Sequence, residues 1–147
     1  MPSVASKIQG DLKLKNIPAF DIQAVCSGFV YGLHIVDALA KSHKAKTILL
    51  IGAEKLASVV NCQDRSTCVL FGYGSGAMVI QYDEAYQSDI LDSQIFSDGS
   101  YFDILYADGG ASSANAVGKL QMNGREVFRQ AVEKMEQAII DILNKNN

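Results

Sequence analysis

The sequence has too few cysteines for a disulfide scaffold. Three stand at positions 26, 62 and 68 of 147 residues. The number is odd, and the spacing gives neither stapled pairs nor the ligand pattern of a zinc site. No metal is expected, and reduced thiols in the cytoplasm are the simplest reading. Basic residues are also short, with 13 Lys and Arg against 16 Asp and Glu and a net charge of −3. That balance argues against nucleic acid, whose binders carry a basic face. No apolar run approaches the roughly 18–20 residues that a membrane-spanning helix needs. No basic-then-apolar leader follows Met1, so no secretory signal is expected. There is no internal repeat and no low-complexity tract.

What is present is a globular composition, 48% hydrophobic and 20% charged, in a chain long enough to build a core. Val4, Ile8 and Leu12 recur at helical spacing, which predicts a short amphipathic helix over 2–14. After Pro18 the run 19–25 is extended, with Phe20, Ile22 and Ala24 on one face. Residues 27–42 return to helical spacing through Phe29, Leu33, Val36 and Ala40. The strand predicted over 46–52 is apolar on both faces, as in a sheet covered on both sides. Further strands are expected at 68–71, 77–82 and 90–96, with the glycine-rich 72–76 between the first two. Residues 107–119, rich in Gly, Ala and Ser, read as a mobile loop. Asn123 and Glu126 form a capping-box pair at the head of a long helix over about 124–143. This alternation of strands and helices indicates an α/β protein with layered sheets.

The chemistry concentrates where a strand runs into a helix, at Asp21-Ile-Gln-Ala-Val-Cys26-Ser-Gly-Phe-Val-Tyr-Gly-Leu33. Cys26 falls on the junction. The free N–H groups and dipole of a helix N-terminus favour negative charge, and a thiol placed there gains thiolate character. Gly28 would let a ligand come close to the backbone. The competing reading is that a lone cysteine packs as a small buried hydrophobe.

The words around it resemble a known family. Residues 19–33 are similar to the nucleophile segment of β-ketoacyl-acyl-carrier-protein synthase III, a branch of the thiolase-like condensing enzymes. Asp64-Arg-Ser-Thr-Cys-Val-Leu-Phe-Gly72 resembles a second signature and Asn123-Gly-Arg-Glu-Val-Phe128 a third, in the same order. The resemblance covers nearly the whole chain and is weakest over 82–120. It implies a layered thiolase-like fold that is incomplete here. Residues 1–106 would be a partial N-terminal half, 107–119 a flexible loop, and 120–147 the first helix of a C-terminal half. It also implies an acyltransferase that initiates fatty acid synthesis. An acyl group passes from acyl-coenzyme A to Cys26, and malonyl-acyl-carrier protein then condenses with it by decarboxylation. Arg65 matches a position that stacks on the adenine of coenzyme A, Phe128 one lining the pantetheine tunnel, and Leu56 one near the acyl pocket. Coenzyme A enters as substrate, so no cofactor is implied. The implied partners are the carrier protein and a homodimer mate or a complementing chain.

Tyr73 stands where the family generally carries Asp. The His and Asn that stabilise the family's oxyanions, and its first two core strands, match nothing in this sequence. His34 lies eight residues after Cys26, about 12 Å along one helix, beyond hydrogen-bond reach. His43, near the helix end, would complement the dipole there. Cys62 and Cys68 read as structural. The alternative function is an inactive remnant or subunit that at most binds an acyl or coenzyme A group, or a partner chain.

Overall fold

The structure, a computed structural model, describes residues 2–85, 90–110 and 116–146. The elements in chain order are α1 (Val4–Asp11), α2 (Gly28–Lys41), β1 (Thr47–Glu54), α3 (Arg65–Cys68), β2 (Gly74–Gln81), β3 (Leu105–Ala107), β4 (Leu120–Met122) and α4 (Gly124–Asn146). Tight 3-10 turns cover Val25–Ser27, Leu56–Ser58 and Gly99–Ile104.

The central unit is the antiparallel pair β1–β2, in register from Thr47 opposite Gln81 to Glu54 opposite Gly74. Side chains alternate across a strand, and Ile48, Leu50 and Gly52 form the half-buried face. That face receives α2. Gly32 sits against Leu50 and Gly52 against Phe29, so α2 runs antiparallel to β1 with its N-terminus at the strand's C-terminal end. Val36 and Ala40, from the predicted apolar stripe, are buried on α2. Val60 is the other buried apolar side chain among the described residues.

Three predicted strands do not form. Within 19–25, residues 19–24 have no ladder partner among the described residues and Val25 opens a 3-10 turn, and a strand exists only through pairing. The segment is instead held by α1, through Ser6 Oγ to the Ala19 carbonyl at 3.5 Å and Gln9 Nε2 to the Ile17 carbonyl at 2.8 Å. Of residues 68–71, Cys68 ends the one-turn helix α3 and 69–71 follow it. Its cap is Asp64, which accepts from the Ser66 N–H at 3.0 Å and the Thr67 hydroxyl at 2.6 Å. Local Asp–Ser–Thr hydrogen bonding outweighs the apolar run behind it. Residues 90–96 are pinned by side chains, not by a ladder, with the Tyr31 hydroxyl donating to the Phe96 carbonyl at 2.7 Å. The strand pair expected within 68–82 is thus replaced by β1–β2, and β2 absorbs Gly74-Ser-Gly76 of the glycine-rich turn.

The segment read as a mobile loop is paired at both ends. β3 pairs with β4, Leu105 opposite Met122, and a bridge joins Gly110 to Ala116. Asp108 secures this hairpin by accepting from the Lys119 N–H and Gln121 Nε2, each at 2.7 Å. The rest of that loop, 111–115, lies outside the described residues. In α4 only half of the capping box forms. Asn123 Oδ1 accepts from the Glu126 N–H at 3.3 Å, but the Asn123 N–H donates to the Ile104 carbonyl at 2.8 Å. Glu126 turns to Arg129 and Gln130, which hold its carboxyl below the usual carboxylate range.

Candidate functional site

Cys26 is exposed and sits in the middle of the 3-10 turn that leads into α2. The chain reaches it through an uncommon backbone. Val25 has φ of 49°, a left-handed conformation that a β-branched side chain adopts only under constraint. The Ser27 N–H closes the turn on the Ala24 carbonyl at 3.1 Å, and no side chain caps α2. The Gly28 N–H donates to the Val25 carbonyl, and what remains at the head of α2 is the positive end of the helix dipole, which favours negative charge there. A strained turn presenting a nucleophile at a helix head is a functional arrangement recurrent in acyl-transfer sites. Gly28 borders open space, where an added Cβ would meet nothing within 4 Å. The opening predicted beside Cys26 is present, although this chain would tolerate a side chain there.

Asp21, in the segment leading to the turn, is tied to α1. Its carboxylate accepts from the Val4 N–H at 2.9 Å and the Ala5 N–H at 2.8 Å, capping α1 from outside. The Ala5 amide, then the Val4 amide, hold this carboxyl below the usual range. Nothing in the spacing of the sequence marks Asp21 for this task, because its partners lie 16 and 17 residues away.

Leu56 lies half-buried in the 3-10 turn after β1, its N–H donating to Glu54 Oε2 at 2.6 Å. Since α2 runs antiparallel to β1, this turn issues from the strand end nearest Cys26. The Leu120 N–H donates to the Val59 carbonyl at 2.9 Å, which ties the approach to α4, and hence to Phe128, to the same turn. Arg65 is exposed as the first residue of α3, so it stands on a helix and not in a loop. Phe128 is 72% exposed. Tyr73 precedes β2 with Lys55 Nζ 5.9 Å above its ring centre.

The two histidines are engaged elsewhere. His34 Nδ1 lies 2.9 Å from Ser93 Oγ and 3.2 Å from the Ser93 carbonyl. His43 adopts φ of 57° just beyond α2 and packs edge-on against Tyr82 at 4.8 Å. Cys62 is exposed, so burial gives it no structural role, while Cys68 is half-buried with its thiol 3.8 Å from the Cys62 carbonyl. Two hollows of about 440 and 310 Å3 lie elsewhere, and neither is lined by Cys26, Leu56, Arg65 or Phe128. Among the described residues no helix is long and apolar enough to cross a membrane.

Comparison with known proteins bears on the whole chain. The sequence model of the family described as 3-oxoacyl-[acyl-carrier-protein (ACP)] synthase III matches residues 20–99. A β-ketoacyl-[acyl-carrier-protein] synthase III of Rickettsia felis is 54% identical over 145 residues, covering 99% of this chain and 45% of the relative. The corresponding protein of Rickettsia bellii is 52% identical over 146 residues, 99% of this chain and 46% of its own. The crystal structure of 3-oxoacyl-[acyl-carrier-protein] synthase III from Aquifex aeolicus superposes with a TM-score of 0.90 at 46% identity, over 99% of this chain and 45% of that one. The Pseudomonas aeruginosa structure gives 0.89 at 33% identity, over 98% and 46%. The chain thus spans less than half the length of the relatives it matches.

Proposed function

The chain belongs to the 3-oxoacyl-[acyl-carrier-protein] synthase III family and carries part of its layered α/β thiolase-like fold, and on that premise we propose that Cys26 is the acyl-accepting nucleophile of a condensing enzyme that initiates fatty acid synthesis. The observation that carries the reading is the exposed thiol on a strained turn at the uncapped head of α2. The sulfur attacks the carbonyl of an acyl-coenzyme A, the carbon–sulfur bond to coenzyme A breaks, and coenzyme A leaves as the thiol, taking the proton. The dipole at the head of α2 offsets charge on the attacking sulfur. Leu56 lies near the acyl pocket, exposed Arg65 stacks on the adenine, and exposed Phe128 lines the path of the pantetheine arm. Decarboxylation of malonyl-acyl-carrier protein then supplies the carbanion that attacks the thioester. Residues 1–106 are the nucleophile-bearing part and 120–147 the start of the other half. The three free thiols fit a cytoplasmic location.

A second reading is favoured by one observation: both histidines are held away from Cys26, His34 by Ser93 and His43 by Tyr82. Enolate formation needs preorganised donors, and losing one costs about a hundred- to a thousand-fold in rate. By itself, then, the chain accepts an acyl group and does not condense it.

Incubation with acetyl-coenzyme A followed by intact mass spectrometry tests the first reading. One acetyl group is expected on the native chain and none on Cys26→Ser. Absence of acylation with Cys26 free would refute the nucleophile assignment. Acetoacetyl product from this chain and malonyl-carrier protein alone would refute the second reading.

A further inference from the structure

Two of the three thiols lie at the two ends of one turn. Cys68 Sγ is 3.8 Å from the Cys62 carbonyl oxygen. One Cα–C and one C=O bond separate that oxygen from the Cys62 Cα, so the Cys68 sulfur stands within about 6.6 Å of it. A disulfide spans Cα atoms about 4.4–6.8 Å apart, and a modest shift of the backbone brings this pair into that range. The approach is set by contacts inside 61–68. The Asp64 N–H donates to the Asn61 carbonyl at 3.1 Å and the Cys68 N–H to the Asp64 carbonyl at 2.9 Å, which folds the segment back on itself. The Asp64 carboxylate holds the turn further through Ser66 and Thr67. Access to the two thiols is unequal. Cys62 is exposed and Cys68 half-buried, the arrangement of a thiol open to oxidant beside a resolving partner. Arg65, exposed at the start of α3, stands between them.

We infer that Cys62 and Cys68 form a reversible dithiol–disulfide site whose closure displaces Arg65, with a low-molecular-weight disulfide, such as glutathione disulfide, as oxidant. The Cys62 thiolate attacks one sulfur of glutathione disulfide, whose S–S bond breaks and releases one glutathione thiolate. The Cys68 thiolate then attacks the Cys62 sulfur, which forms the protein S–S bond and releases the second glutathione thiolate. The two protons of the protein thiols end on the two glutathione molecules. Two protein thiols are oxidised and one glutathione disulfide is reduced. Closure needs the two Cβ atoms about 3.8 Å apart, and α3 from Arg65 onward lies inside the ring. The Cys68 thiol leaves the Cys62 carbonyl, the one-turn helix is pulled out of shape, and the guanidinium of Arg65 moves with it. A strained or exposed disulfide is readily reduced, so the change reverses when reductant returns. Transient disulfides of this kind serve redox sensing in reducing compartments. The consequence for coenzyme A rests on the proposed role of Arg65 as its adenine partner; the disulfide itself does not.

The test uses the full chain as Cys26→Ser, so that the third thiol takes up no glutathione. After incubation with glutathione disulfide the chain is blocked with iodoacetamide and digested with trypsin in denaturant without reductant. Trypsin cuts after Arg65 and leaves Cys62 and Cys68 on separate peptides. The expected result is that those peptides are joined, and that the undigested chain is lighter than its reduced form by two hydrogens, with no glutathione attached. Amide exchange over 65–68 should be about tenfold faster in the oxidised chain, and dithiothreitol should reverse it. Adding Cys68→Ser should stop the reaction at glutathione on Cys62. A stable glutathione adduct on Cys62 with Cys68 present and free would overturn the proposal, as would joined peptides with unchanged exchange. Ligand coupling is read with acetyl-coenzyme A, which has no free thiol to reduce the bond. Its Kd should rise about tenfold on oxidation as the stacked guanidinium is lost. Equal binding by both forms would remove Arg65 displacement from the proposal. Binding by neither form would refute the coenzyme A reading instead, and the disulfide would then stand or fall on the peptide map.

Discussion

A methyl group added at Gly32 would stand 2.6 Å from Leu50 Cδ1, so the contact between α2 and β1 depends on a missing side chain. Two effects compete on Gly32→Ala. Alanine in a helix interior gains about 0.5–1 kcal/mol over glycine, while overpacking costs about 1–3 kcal/mol. Leu50 is half-buried and the clash is with its flexible tip, so it can yield. Gly32→Ala is expected within about 1 kcal/mol of the native chain in denaturant unfolding. Gly32→Val adds bulk toward both Leu50 and Ile22, whose Cδ1 is already at 3.6 Å, and should cost about 2–3 kcal/mol. Equal stability of the two variants would show that the α2–β1 spacing is loose.

Val25 predicts the opposite sign. Its left-handed φ of 49° costs on the order of 1–3 kcal/mol for a branched residue, and the exposed side chain recovers little by burial. Val25→Gly should therefore leave stability unchanged or raise it by up to about 1 kcal/mol. The same change at Val36, 4% exposed, removes a buried side chain and should cost more than about 2 kcal/mol. Chemical denaturation of both variants checks the contrast. A loss at position 25 comparable to that at 36 would mean the turn is not strained.

The helices were legible because their signals are local. The stripe from Phe29 to Ala40 and the Asn123 cap are written within a few residues of where they act. β1 was legible for the same reason, a continuous apolar run. The strands that failed depended on partners. Residues 19–24 have the alternation of a strand but, among the described residues, no ladder partner, and 90–96 are held by Tyr31 and His34 from a distant helix. At the site, Cys26 was found by its junction and its neighbouring words. Val25 was invisible because a β-branched residue is the last one a left-handed position would suggest. The hairpin at 105–110 and 116–122 was missed because its composition is that of a loop and Leu105 pairs with Met122, 17 residues on.

The split capping box gives a third expectation. Asn123→Ala removes the acceptor for the Glu126 N–H and should destabilise the chain by about 1 kcal/mol. Glu126→Ala should have no comparable effect at the helix start, because the Asn123 N–H is satisfied by the Ile104 carbonyl and not by Glu126. Thermal unfolding followed at the helical signal separates the two. Equal losses would restore the reciprocal box.

Asp21 makes the docking of α1 sensitive to acid. The amides of Ala5 and Val4 hold its carboxyl below the usual range in the folded chain, while an unstructured aspartate titrates at about 3.9. A group depressed on folding contributes stability above its unfolded value and loses it as pH falls through the folded one. Protection factors of the amides over 4–11, corrected for the intrinsic exchange rate at each pH, should be steady from neutral pH to about pH 5, then fall progressively below about pH 4 as the carboxylate is protonated. Asp21→Asn should weaken α1 docking at neutral pH and remove this pH dependence. An acid-induced opening of α1 that persists in the variant would assign it to another group.

The last expectation concerns the thiol on which the functional reading turns. Exposure does not single out Cys26, since Cys62 is exposed too. What separates them is the environment. Cys26 stands at the head of the 14-residue α2, while Cys62 lies in a turn before the one-turn α3. Cys68 is half-buried and directs its thiol at the Cys62 carbonyl, which restricts access to its sulfur. Attack on an electrophile proceeds through the thiolate, so the dipole at the head of α2 and access to the sulfur should order the rates Cys26, then Cys62, then Cys68. Brief iodoacetamide treatment near neutral pH, followed by peptide mapping, reads that order directly. Denaturant is the control, because it abolishes the helix head and should bring the three rates together. If Cys62 instead labels as fast as Cys26 in the folded chain, access alone governs reactivity, and the turn at Val25–Ser27 confers no nucleophilic advantage.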